Sequence, residues 1–379
     1  MAFWALGIVV APIMGPVLGG WLTDTYSWRW VFYINLPVGI ASMVMTKMYV
    51  FDPAYIRKEN RGIDYWGIGM LAVGIGALQI VLDKGQQEDW FNSRFITVLV
   101  ILSAVMLIAL IIHELTTTDP VIELHVFKER SYAVGVFLMA VVGFVLYGSM
   151  VLLPIMLQTL LGYPSMQAGI AMAPRGIGSF LTMPIIGVLT GRVDPRKLLA
   201  LGLLVGGSTL LWLSQLNLQA GYWDIFWPQF LQGSGMALLF VPLTTVAMAN
   251  IKPERMGNAT SLFNLMRNIG GSVGIAVTAT MLSRHRQAAG SVLGEHVSVY
   301  DLKTQSMLAQ IKAGFMAAGA DTVTAAERAS VAMYGLVQRQ AAMVSFVFIF
   351  RTLGIVFLVM LPLVLLMRRP ARHAGSPAG

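Results

Sequence analysis

The chain has 379 residues, 56% of them hydrophobic and only 12% charged, with a mean hydropathy of +0.71. An ordinary soluble domain carries about twice that charged share, so the composition excludes a soluble globular enzyme and places the chain in a lipid bilayer. The 26 Lys and Arg against 18 Asp and Glu form no basic stripe interleaved with aromatics, so the excess marks the cytoplasmic loops of a multi-pass protein and not a nucleic-acid surface. With no cysteine there is no disulfide, thiol nucleophile or thiolate metal site.

Crossing roughly 30 Å of hydrocarbon takes a helix of about 20 residues. Apolar, nearly charge-free runs of that length fall near 3–22, 30–50, 63–83, 95–113, 131–157, 166–190, 197–217, 224–248, 262–283 and 344–367, which predicts ten spans. The first lacks a basic leader and a small-residue cleavage site, so it reads as a span and not as a signal peptide. Within it Gly7, Ala11, Gly15 and Gly19 recur every fourth residue, leaving one helical ridge almost without side chains. Another helix can lie against such a ridge nearly backbone to backbone, and Pro12 and Pro16 add kinks beside it.

Polar stretches at 51–62 and 114–130 bracket the third and fourth spans, which therefore read as an inserted pair. Residues 131–174 hold no charge and are too long for one crossing, and Gly162-Tyr163-Pro164-Ser165 supplies the dividing turn. If Met1 starts on the cytoplasmic side, the inward loops and tail collect Arg57, Lys58, Arg61, Lys128, Arg130, Arg192, Arg196, Lys197, Lys252, Arg255, Arg368, Arg369 and Arg372, while the short outward loops hold only Arg29, Lys84 and Arg94. That asymmetry sets the orientation and puts the C-terminus in the cytoplasm. Arg29, close after Asp24, is expected to pair with it at the outer surface. The outward connection 284–343 is long; Leu302 to Met316 can wind into an amphipathic helix, and Thr324-Ala325-Ala326-Glu327 is a capping-box pattern opening another. A lid over the bundle and a dock for an accessory protein both remain open for it.

The run Gly15-Pro16-Val17-Leu18-Gly19-Gly20 resembles the antiporter signature of major facilitator drug exporters, with Ala11 where a further glycine is usual. Trp28-Arg29-Trp30-Val31-Phe32-Tyr33-Ile34-Asn35-Leu36-Pro37 resembles the segment that follows it in the fourteen-span, EmrB/QacA-type branch. Ala173 to Gly176, Pro228 to Gly233, Pro242 to Thr245, Gly257 to Asn264 and Arg267 to Gly274 extend the resemblance over most of the chain. It implies an all-α polytopic membrane protein of the major facilitator fold. Residues 1–50 would be the last two helices of the N-terminal six-helix half, 51–130 two linker helices with cytoplasmic loops, and 131–379 a complete C-terminal half with a periplasmic loop at 284–343. Four helices would be missing at the front.

The resemblance also implies function. It points to export of small hydrophobic or cationic drug-like compounds across the bacterial inner membrane by alternating access, driven by the proton gradient with no other cofactor. A periplasmic adaptor and an outer-membrane channel are candidate partners, and no nucleic acid is involved. The competing reading is a front-truncated fragment that inserts but does not transport. An intramembrane enzyme would need a clustered metal or nucleophile set, but the five histidines are scattered and no His-Glu-x-x-His occurs.

In such a fold the fifth, sixth, eighth and ninth visible spans line the central cavity. Tyr147, Gln158, Arg175, Gln229, Gln232, Asn264 and Asn268 are then the candidate polar contacts, with Phe144, Met150, Met156 and Phe263 as soft apolar walls. The plainer alternative makes the amides interhelical glue and the Met and Phe side chains core. The loop from Gly187 to Lys197 resembles the family's basic gating loop, with Gly187, Arg192, Asp194, Arg196 and Lys197 as its gate residues and Gly191 where aspartate is usual. Every Asp and Glu sits in a loop or near a helix end, so the proton-coupling acid is expected on the four absent helices.

Overall fold

The computed structural model describes residues 2–49, 64–117, 123–252, 255–298 and 300–367, with side chains on the first helix from Met14 onward. Its α-helices are α1 (Ala2–Thr25), α2 (Trp30–Tyr33), α3 (Asn35–Tyr49), α4 (Tyr65–Lys84), α5 (Arg94–Thr116), α6 (Arg130–Thr159), α7 (Ser165–Arg192), α8 (Pro195–Leu213), α9 (Tyr222–Met248), α10 (Met256–Glu295), α11 (Leu302–Ala317), α12 (Thr322–Val359) and α13 (Leu361–Val364). No strand forms among the described residues. Among the described residues, eight stretches are long and apolar enough to cross a membrane. The two other expected crossings fall on α1 and on α10, where Asn258, Asn264, Arg267 and Asn268 dilute the apolar surface. The expected span at 30–50 is interrupted at Ile34 because Pro37 has no amide to return to the Tyr33 carbonyl.

A closed core forms where α6 packs on α10, α7 on α9, α9 on α8, α8 on α12 and α12 back on α10. Tyr132, Leu152, Leu153, Met156, Leu203 and Phe350 are among its fully buried side chains. Burial from lipid gains little, so the fit between helices must supply the stability, and here glycine supplies it. A methyl at Gly143 would overlap the Arg267 carbonyl, one at Gly270 the Ala140 carbonyl, and one at Gly233 the Arg175 carbonyl. These crossings are backbone against backbone. The expected turn between α6 and α7 is there, with Gly162 in the left-handed region at φ 71°.

α4 and α5 pair with each other through the Ser103 hydroxyl, which donates to the Gly74 carbonyl at 2.8 Å, and α4 reaches α10 where Ser272 donates to Gln79 at 2.7 Å. α10 and α12 have 40 and 38 residues. At 1.5 Å per residue each is about 60 Å long, twice the hydrocarbon thickness, so both continue beyond it as a helical extension against which α11 packs. The expected start of α12 at Thr324 is corrected: the helix opens at Thr322, because the Asp321 carboxylate accepts from the amides of Val323 (3.1 Å) and Thr324 (3.2 Å). A charged cap facing the helix dipole outcompetes the Thr–Glu box two residues on.

Candidate functional site

Two features on α7 stand out. Midway along it, Arg175 is only 7% exposed, and on the facing side of α9 the i, i+3 pair Gln229 and Gln232 is buried at 0% and 4%. The crossing of Gly233 over the Arg175 backbone brings these side chains together. Arg175 Nη2 donates to Gln232 Oε1, which also accepts from Gln229 Nε2 at 3.4 Å. Arg175 Nε and Nη1 and Gln229 Oε1 have no hydrogen-bond partner among the described residues. A buried guanidinium with one neutral acceptor is an uncompensated charge, which costs several kcal/mol where it meets neither water nor an anion. The arrangement is suited to receiving a ligand's acceptor groups.

The second feature is the N-terminal end of α7, which α1 holds. A Cβ at Gly20 would lie 2.6 Å from the Ser165 carbonyl oxygen and 2.8 Å from Met166 Cα, and one at Gly169 would overlap the Pro16 carbonyl. The Asp24 carboxylate accepts from the Met166 amide at 2.7 Å, in the first turn of α7 where the helix dipole favours an anion. This corrects the expected Asp24–Arg29 pair: Arg29 lies 5.0 Å over the Trp28 ring instead. A Cβ added at Gly15 or Gly19 would meet nothing within 4 Å, so among the described side chains the seam runs along Pro16 and Gly20, not along the ridge expected from the four-residue repeat. Gly7, Ala11 and Pro12 lie on α1, and their surroundings fall outside the described side chains.

The other expected residues do not converge on one point. Tyr147 packs over Gly271, and the Phe144 backbone lies against Gly274, so both sit on the α6–α10 crossing. Met150 is packed against the core, and Met156 (0%) and Phe263 (2%) are inside it. Asn264 donates to the Thr260 carbonyl of its own helix at 3.0 Å, while Asn268 and Gln158 are exposed. At the gating loop, α7 runs to Arg192 and only Val193 and Asp194 separate it from α8. Asp194 caps α8 through the Arg196 amide at 3.0 Å, and Arg196 Nη1 donates to the Met367 carbonyl at 2.8 Å. Gly187 and Gly191 have open space around them, and Arg192 and Lys197 are exposed.

Sequence reasoning missed a clamp where the chain leading into α6 meets the start of α10. Arg255 pairs with Glu123 at 2.9 Å, the Glu123 amide donates to Asn258 at 3.2 Å, and the Tyr132 hydroxyl donates to the Ala259 carbonyl at 2.9 Å. The Gly257-Asn258-Ala259 motif was the available signal, but its partner lies more than 100 residues away in the chain.

A multi-pass helical bundle, with a buried polar cluster at midspan and a thin seam beside it, is built as a membrane transporter. The chain belongs to the Major Facilitator Superfamily, whose profile matches residues 1–275. The multidrug export protein EmrB of Escherichia coli K12 is 34% identical over 381 residues, covering 100% of this chain and 72% of that protein. EmrB of Haemophilus influenzae is 36% identical over 312 residues, 82% of this chain and 61% of that one. The fatty acid resistance protein FarB of Neisseria gonorrhoeae is 34% identical over 383 residues, covering 99% and 72%. These relatives place the chain in the EmrB-type branch.

Proposed function

We propose that this chain is the membrane-embedded part of an exporter that moves drug-like amphipathic compounds outward across the bacterial inner membrane, by alternating access and in exchange for protons. The observation that carries it is the double duty of α7. Its outer end is held by α1 through Gly20, Gly169 and Asp24, and about 9 Å further along it carries the unsatisfied Arg175. Parting the seam opens a route to the cluster from outside. Residues 1–50 act with one moving half, 131–379 form the other, and 51–130 bridge them. The C-terminus is cytoplasmic, Arg196 ties the inward loop to it, and the extension at 284–343 faces the periplasm, where an adaptor leading to an outer-membrane channel would meet it.

The coupling acid lies elsewhere than in α6–α9, whose only acidic residue is Asp224 in the first turn of α9. The chain works as a carrier and not as an enzyme. In a strain stripped of its own exporters, expression of the protein lowers accumulation of a fluorescent drug, and adding that drug to energised inverted vesicles releases protons. Unchanged accumulation refutes export; reduced accumulation without proton release refutes the antiport step alone.

A further inference from the structure

The turn between α4 and α5 holds an unusual backbone. Among the described residues, Asp89 and Trp90 are the non-glycine positions in the left-handed region, one after the other at φ 54° and 52°. Aspartate tolerates that conformation, but for a bulky aromatic it is an outlier, and outliers of this kind gather at switch segments and persist only where their surroundings hold them. Here the hold is local. The Trp90 amide donates to the Gly85 carbonyl at 2.7 Å, the indole lies on Gly85, where a Cβ would come within 2.8 Å of the ring, and its Nε1 donates to Gln86 Oε1 at a long 3.4 Å.

On its other side Trp90 forms one edge of a cavity of about 460 Å³, more than an indole needs, walled by Val277, Met281, His285 and Ala288 of α10 and by Phe348 of α12. The far wall is fixed. The Ser345 hydroxyl donates to the Ala341 carbonyl at 2.7 Å and so accepts from His285 Nδ1 at 3.0 Å, and the imidazole stacks on Phe348 with centroids 4.3 Å apart. The α4–α5 pair is otherwise lightly attached: the side-chain hydrogen bond described between it and α10 is that of Ser272 to Gln79 at 2.7 Å, and Val98, Ile101, Val105 and Ile108 along α5 are exposed.

We propose that the α4–α5 turn is a strap with two positions. In the one seen, Trp90 rests on Gly85. In the other, residues 89 and 90 leave the left-handed region, the indole enters the cavity and packs on His285 and Phe348, and the α4–α5 pair is fastened to α10 and α12 there as well as at Gln79. Relief of the backbone and burial of the indole favour closing, and loss of the Gly85 contact opposes it.

The test is fluorine NMR of the full chain in nanodiscs, labelled with 5-fluorotryptophan, the Trp90 signal being the one that Trp90→Phe removes. No drug or gradient is applied, so the result stands whether or not the chain exports. The signal reports two environments or an average of them. Asp89→Gly removes the backbone penalty and favours the position on Gly85, while Asp89→Val raises it and favours the closed one. Both lose the 2.7 Å bond from Asn92 to Asp89, so their opposite shifts, about 5- to 30-fold apart in the ratio of the two populations, isolate the backbone. Phe348→Leu, at an exposed position, moves the signal in the same direction as Asp89→Gly. An identical Trp90 signal in the two Asp89 variants, or no effect of Phe348→Leu, overturns the proposal. So does a signal that follows the acyl-chain length of the nanodisc lipid and not residue 89, which would give the cavity to lipid.

Discussion

Substituting Gly20 by alanine tests the seam directly. The new Cβ would sit 2.6 Å from the Ser165 oxygen, about 0.8 Å short of ordinary contact at 3.4 Å. The obstacle is backbone, so α1 itself has to move. The Asp24–Met166 bond, 2.7 Å long, would stretch towards about 3.5 Å, where it ceases to count. Overpacking of this kind costs about 1–3 kcal/mol. Charged to the closed state only, that multiplies the outward-open population by about 5- to 150-fold. The chain contains no cysteine, so a single Asn268→Cys reporter on the exposed side of α10 can be labelled with an impermeant maleimide from the outer side. The labelling rate should rise by that factor. The internal control is the adjacent residue: a Cβ at Gly19 meets nothing within 4 Å, so Gly19→Ala should label at the wild-type rate. If the two alanines behave alike, or if Gly20→Ala leaves labelling unchanged, the seam does not seal the outer end.

Two further outcomes follow from charges. Arg175→Met removes a buried guanidinium with two unpaired donors, so thermal stability should stay equal or rise while drug export falls about tenfold or more; normal export would remove Arg175 from the pathway. Asp64 caps α4: the Gly67 amide at 2.9 Å, and after it His113 at 2.9 Å, hold its carboxyl below the usual 3.8 against the opposing effect of burial. A depressed carboxylate contributes stability above its unfolded value, and that contribution disappears as pH falls through the lower folded one. Asp64→Asn should therefore lower Tm at neutral pH, and the gap from wild type should close below pH 3.8; a gap independent of pH would show that the cap does not act through charge.

The spans could be read from the sequence because bilayer thickness sets their length, and a charge inside one is costly enough to leave a visible gap. Their pairing could not. A four-residue glycine repeat predicts a thin ridge but not the partner, and consecutive residues on a helix point about 100° apart. Gly19 thus stands open, while Gly20, one step round, lies under the Ser165 backbone. The site was legible in part for the same reason. Gln229 and Gln232, three apart, had to share a face, but that Arg175 lay opposite them depended on Gly233 meeting the Arg175 carbonyl across the bundle. Met156 and Phe263 are buried in the core, and nothing in an isolated apolar side chain tells a wall from a core.

The two faces of α7 also indicate which contact yields first. On the α9 side the backbones meet at Gly178 and Gly233, and the crossing is stitched by Arg175 to Gln232 and by Ser179 to the Gly233 carbonyl at 2.8 Å, with Ser234 at 3.2 Å from the carbonyl of Phe230 on its own helix. On the α1 side, among the described side chains, the one side-chain hydrogen bond is that of Asp24, at the exposed rim. Interhelical hydrogen bonds in membranes contribute about 0.6 kcal/mol each, and an exposed one contributes less because water competes for it. Glycine contacts make both interfaces close, but without interlocking side chains neither resists sliding. The interface with fewer cross-links parts first. In the proposed cycle α7 is therefore expected to stay with α9 and leave α1, so that Arg175 keeps its Gln232 partner while its two donors without a partner become accessible from the opening side.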